Sequence, residues 1–60
     1  MIRYEVRKAA SGPQPYYWRV VAVANSKVLA TSETYYNRVD AIHAVNLVKA
    51  GSATAQVVEV

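Results

Sequence analysis

The 60-residue chain predicts an α+β domain with the element order β-β-β-α-β: a three-stranded antiparallel meander, one helix packed on the sheet, and a last strand after the helix. Three observations carry that prediction. Residues 2–8 alternate between two sets with period two, residues 16–24 form the longest run of β-branched and aromatic side chains, and residues 38–50 place apolar side chains at helical spacing behind an asparagine. All of it belongs to one domain, 1–60, and no internal repeat divides it.

In the first element, Ile2, Tyr4 and Val6 point one way and Arg3, Glu5 and Arg7 the other, the pattern of a half-buried antiparallel strand. Ala9-Ala10-Ser11-Gly12-Pro13-Gln14-Pro15 cannot continue a ladder, because two prolines and a glycine interrupt it, and it reads as a long, mobile hairpin loop. From Tyr16 to Ala24, Trp18, Val20 and Ala22 share one face while Tyr17, Arg19, Val21 and Val23 share the other. Both faces are largely apolar, so this strand belongs in the interior of the sheet.

Asn25-Ser26 stands where a hairpin turn is needed, since asparagine tolerates positive φ. Lys27 to Glu33 follows as a third strand, with Val28, Ala30 and Ser32 on one face and Leu29 and Thr31 on the other; the alternation does not decide which is buried. Asn37 is a helix N-cap by residue type, and Asp40 three positions on can reach back to it and suits the positive end of the helix dipole. The helix is expected from Arg38 to Lys49 or Ala50, stopped by Gly51, with Ala41, Ile42, Val45 and Val48 towards the sheet and Asp40, His43 and Asn46 away from it. Thr54 to Val60 then reads as a terminal apolar strand, and an apolar strand left at a sheet edge templates aggregation unless it is paired.

Composition narrows the function. A chain this short buries only about 60% of the surface its unfolded form exposes, and small domains add disulfides, a metal or a partner subunit. There is no cysteine and one histidine, so neither a disulfide nor a structural zinc site is available, and self-association remains. No cofactor is expected. The apolar share of 53% is too high for a disordered chain of net charge +3. Charges at Arg3 and Glu5 stand where a signal peptide needs apolar residues, and no run approaches the length of a membrane span, so a cytoplasmic protein is expected.

Tyr17-Trp18-Arg19-Val20 in the second strand, Asn25-Ser26 in the turn, Leu29-Ala30-Thr31-Ser32 in the third strand, Tyr35 or Tyr36, and Val48-Lys49 at the helix end together resemble the YegP-like family, small bacterial domains of unknown function. Ser26 replaces the glycine of the family's Asn-Gly-type turn, which leaves the turn type open. The resemblance runs from about Tyr4 to Lys49, and the terminal strand fits by pattern alone. It implies that two units join into one sheet by exchanging their last strands. With one unit in this chain, it implies a homodimer with Val57, Val58 and Val60 at the interface. The family has no established functional residues to carry over.

Individual residues complete the reading. Trp18, the only tryptophan, belongs to the core of an interior strand before it belongs to a stacking platform. The pairs Tyr16/Tyr17 and Tyr35/Tyr36 each put one ring on either side of the chain. His43 and Asp40 form an exposed helical pair, and no serine stands in a nucleophile elbow, so no catalytic residue is assigned and the chain is expected not to be an enzyme. Arg3, Arg7 and Arg19, with Tyr17 interleaved, share one sheet face if the strands are neighbours in order, and Lys27 is grouped with them by charge. That face is the alternative, nucleic-acid-binding reading, beside an ordinary solvated face with Glu5 between two arginines. The leading expectation is a homodimeric, non-enzymatic binding or scaffolding module.

Overall fold

A computed structural model of the chain describes residues 1–59. β1 (Ile2–Lys8), β2 (Tyr16–Ala22) and β3 (Lys27–Thr31) form one antiparallel sheet in the order β1-β2-β3, followed by α1 (Arg38–Gly51). β1 and β2 pair without interruption from Ile2 opposite Ala22 to Lys8 opposite Tyr16. The ladder is closed at its ends by the Val23 N–H donating to the Met1 carbonyl at 3.1 Å and the Ala9 N–H donating to the Pro15 carbonyl at 2.7 Å. The second of these bonds ties the mouth of the proline-rich loop, where Gly12 takes a φ of 111°, open to glycine but strained for any other residue.

β2 is the interior strand its composition predicts, and none of its residues is exposed. It ends at Ala22 rather than Ala24, because residues 23–26 are taken up in the turn. Ser26 carries the turn's positive φ, 58°, at the position where the family has glycine, and the Asn25 side-chain oxygen accepts from the Lys27 N–H at 3.1 Å. Asparagine therefore braces the turn while its neighbour takes the left-handed conformation.

β3 also stops early, at Thr31 instead of Glu33, for a chemical reason. The Trp18 N–H donates to Ser32 Oγ at 2.9 Å, while the Ser32 N–H donates to the Trp18 carbonyl at 2.9 Å. A hydroxyl thus replaces a backbone carbonyl in the ladder and turns the chain out of strand geometry. Tyr35 pairs with Tyr16 two residues down β2, donating at 2.7 Å and accepting at 3.2 Å. The register between β2 and β3 shifts between Val20 and Val21, leaving Leu29 as the extra residue of a bulge. Every residue of β3 is exposed, so neither of its alternating faces is buried.

α1 begins at Asn37, whose backbone is extended, but the asparagine makes no side-chain cap bond; its Nδ2 instead donates to Asp40 Oδ2 at 3.4 Å. At the other end the helix includes Gly51, and Ser52 stays right-handed. The expected glycine stop is replaced by a polar one: the Ser52 hydroxyl donates to the Lys49 carbonyl and the Thr54 hydroxyl to the Gly51 carbonyl, each at 3.3 Å, which satisfies carbonyls left open at the helix end. α1 contacts β1 and β2 and does not reach β3.

Only Val21, Ala41 and Val45 are fully buried among the described residues. Ile42 is half-buried as its place in the stripe predicts, while Val48 is exposed. The terminal strand expected over 54–60 is not formed: Thr54 lies in the turn after the helix, residues 55–59 have no strand pairing and are exposed, and Val60 lies outside the described residues. The radius of gyration, 12.4 Å, exceeds the roughly 10 Å of a compact chain of this length, consistent with a segment that does not pack on its own domain.

Replacing Ser32 with alanine removes the acceptor of the Trp18 amide in a part-buried position. Stability is expected to fall by about 1–3 kcal/mol, read from the urea midpoint by circular dichroism. Ser32→Thr, which keeps a hydroxyl, should lose much less.

Candidate functional site

The uninterrupted β1–β2 register sets Glu5 directly opposite Arg19, with Arg3 and Arg7 two residues to either side of Glu5 on the same face of β1. All three guanidinium groups converge on that one carboxylate. Arg3 donates from Nε to Glu5 Oε2 at 2.9 Å, with its Nη2 2.8 Å from the same oxygen. Arg19 Nε lies 2.7 Å and Arg7 Nη1 3.2 Å from Oε1. Arg19 is the cross-strand partner, and opposite charges facing each other across a ladder stabilise the pair.

The cluster is graded in exposure. The Glu5 and Arg19 side chains are 19% and 29% exposed, whereas Arg3 and Arg7 are about half open at 50% and 47%. Hydrogen bonds from Arg19 and then Arg3 hold the Glu5 carboxyl at about 2, far below its usual value of 4.5. Arg7 is held more firmly in its charged form by Glu5 and next by the Tyr17 side chain, which stands opposite it in the ladder. Three guanidinium groups against one carboxylate leave two positive charges on this face.

All four residues expected at a surface site, Arg3, Arg7, Tyr17 and Arg19, therefore fall together, and Glu5 is the centre that organises them. Lys27 does not join; it pairs with Ala22 at the far end of β2. Lys8, which charge grouping overlooked, stands with its ammonium 5.7 Å from the centre of the Tyr16 ring, a cation–π contact. His43 and Asp40 are both exposed on α1. Trp18 is half-buried, and its indole N–H is buried without a partner among the described residues. Of the residues expected at a subunit interface, Val57 and Val58 are exposed and unpaired, and Val60 lies outside the described residues.

Residues 14–59 match the family model for a domain of unknown function, DUF1508. The chain belongs to the DUF1508 family. This is the YegP-like family that the strand, turn and helix motifs resemble. The match begins in the hairpin loop and runs through Glu59, so the segment after the helix belongs to the DUF1508 domain, while β1 with Arg3, Glu5 and Arg7 precedes the matched residues. Comparison with curated proteins and with solved structures gave no significant match. No helix among the described residues is long and apolar enough to cross a membrane.

Because the Glu5 carboxyl is depressed to about 2 in the folded protein, its contribution to stability is complete above about pH 4.5 and is lost as the pH falls towards 2. Glu5→Gln should flatten the stability profile across that window and lower stability near neutral pH, where three arginines are left facing one another. Thermal melts between pH 2 and pH 7 read both effects.

Proposed function

We propose that this DUF1508 chain is a non-enzymatic binding or scaffolding module that works as a homodimer, with the segment after the helix exchanged between subunits. The observation that supports this reading is the imbalance between buried and exposed apolar side chains. Val21, Ala41 and Val45 are buried, while Leu29, Leu47 and Val58 are more than half exposed and Val57 is 97% exposed. Three fully buried apolar side chains among the described residues are a small core for a chain of this length, and a second copy would bury further apolar surface where disulfides are unavailable. Strand exchange is a low-cost route to such a dimer, because each segment docks as it would within one chain.

Light scattering at micromolar concentration should report a dimer; a well-folded monomer overturns the reading. Removing residues 54–60 should leave unfolded or aggregated protein, and a stable truncated monomer would refute exchange of that segment.

The arginine cluster favours a second reading, weak single-stranded nucleic-acid binding. Arg3 and Arg7 retain open guanidinium surface beside Tyr17, and the face keeps two uncompensated positive charges. If Arg3 and Arg7 each meet a phosphate, the plot of log K against log salt should have a slope of about −1.4. Fluorescence anisotropy with mixed DNA and RNA oligonucleotides at low salt tests it, and no binding there ends it.

A further inference from the structure

The nucleic-acid reading of the arginine face leaves open which part of a strand the arginines meet. We infer that Arg3 and Arg7 share one terminal phosphate of a single-stranded oligonucleotide, whose adjoining base lies against Tyr17. This inference rests on that second reading and names the group the face selects.

The first argument is access. Tyr4 Oη lies 3.5 Å from Ser52 Oγ, just past the end of α1, which puts the Ile2, Tyr4 and Val6 face of β1 on the side of the helix. Alternation along the strand turns Arg3, Glu5 and Arg7 to the opposite, open face. Glu5 is the only acidic side chain in the three strands, so no other strand carboxylate competes for that face.

The second argument is convergence. Arg3 and Arg7 stand four residues apart, roughly 13 Å along an extended strand, yet their guanidinium groups lean inward to the two oxygens of one carboxylate. Their nitrogens are therefore held no farther apart than one carboxylate and two hydrogen bonds. Arg3 turns Nε and Nη2 to Glu5 and leaves Nη1 without a carboxylate; Arg7 gives Nη1 and leaves Nε and Nη2. Donors gathered in one place suit one anion with several oxygens.

The third argument is charge. Arg19, the directly opposed and least exposed arginine of the cluster, neutralises Glu5 at 2.7 Å, and the excess of two positive charges falls on Arg3 and Arg7, which are about half open. A phosphate monoester carries about −1.5 to −2 at neutral pH on three acceptor oxygens. A backbone phosphodiester brings a single charge and leaves half of the excess unanswered. Glu5 also holds both side chains in place before any ligand arrives, so less side-chain freedom is lost on binding. Tyr17 stands opposite Arg7 in the ladder and is half-buried, which sets its side chain at the border of the site. Stacking on an aromatic ring is tolerant of base identity, so the face selects an end and not a sequence.

The test uses the unaltered chain, 15N-labelled, with arginine Nε–H and backbone signals followed by NMR at low salt. Oligothymidines of about six nucleotides, bearing a 5′-phosphate, a 3′-phosphate or hydroxyls at both ends, are titrated in turn, with inorganic phosphate and phosphoserine as further arms. A phosphorylated end is expected to bind about tenfold tighter than the hydroxyl-ended strand, with shifts centred on Arg3, Arg7 and Tyr17. Equal affinity for phosphorylated and hydroxyl-ended strands, with shifts at the same arginines, would overturn the terminal-phosphate inference and leave the nucleic-acid reading standing. A preference for the phosphate with shifts away from Arg3 and Arg7 would overturn the site. Inorganic phosphate or phosphoserine binding as tightly as the phosphorylated strand would overturn the oligonucleotide as the carrier. No shift with any strand would remove the inference and the nucleic-acid reading together.

Discussion

β2 must supply hydrogen bonds along both of its edges, and the other strands take their places from that requirement. Towards β1 it offers an uninterrupted ladder, closed at each end by a further backbone bond. Towards β3 its amide at Trp18 is satisfied by a serine hydroxyl, and its peptide groups at Tyr16 are satisfied by Tyr35. An unpaired buried backbone group costs about as much as a lost hydrogen bond, so the chain between Thr31 and the helix is held to β2 even after strand geometry has ended. The same strand provides Val21, the one wholly buried side chain of the sheet, while Ala41 and Val45 are the buried side chains of the helix.

That core is small, and its size constrains what the protein can be. A helix that touches only two of three strands leaves the third open on both faces and leaves apolar side chains of the helix and of the terminal segment in water. Hydrophobic burial is the dominant favourable term in folding, so an apolar surplus of this kind favours association. The arginine cluster is a different kind of surface: its geometry is set by register, and its charge is partly neutralised from within. A binding module can use one surface to assemble and another to meet a ligand.

Much of the fold was legible in residue patterns. Period-two alternation located β1, the density of β-branched and aromatic residues marked β2 as interior, and helical spacing found Ala41 and Val45. What failed was the strand expected after the helix, where residues 55–59 find no pairing, and local chemistry at the ends of elements. Ser32 could not be read as a ladder partner because its acceptor role depends on Trp18, fourteen residues away. Gly51 suggested a glycine stop, yet the Ser52 and Thr54 hydroxyls close the helix without needing a left-handed residue. At the site, Arg3, Arg7, Arg19 and Tyr17 were found as a group, but Glu5 was read as a charge separating two arginines when it is the group on which three meet.

The amino-acid sequence by itself determined the class of domain, the order of the first three strands and the helix, the absence of any disulfide, and the family, because these follow from periodicity, turn chemistry and composition, which are local. Tertiary structure alone decided the bulge at Leu29, the convergence of three arginines on Glu5, and the exposure of β3 and residues 55–59. Those features depend on which residue lies opposite which across a ladder, and on how far a single helix can reach. Both are long-range quantities that no window of sequence contains.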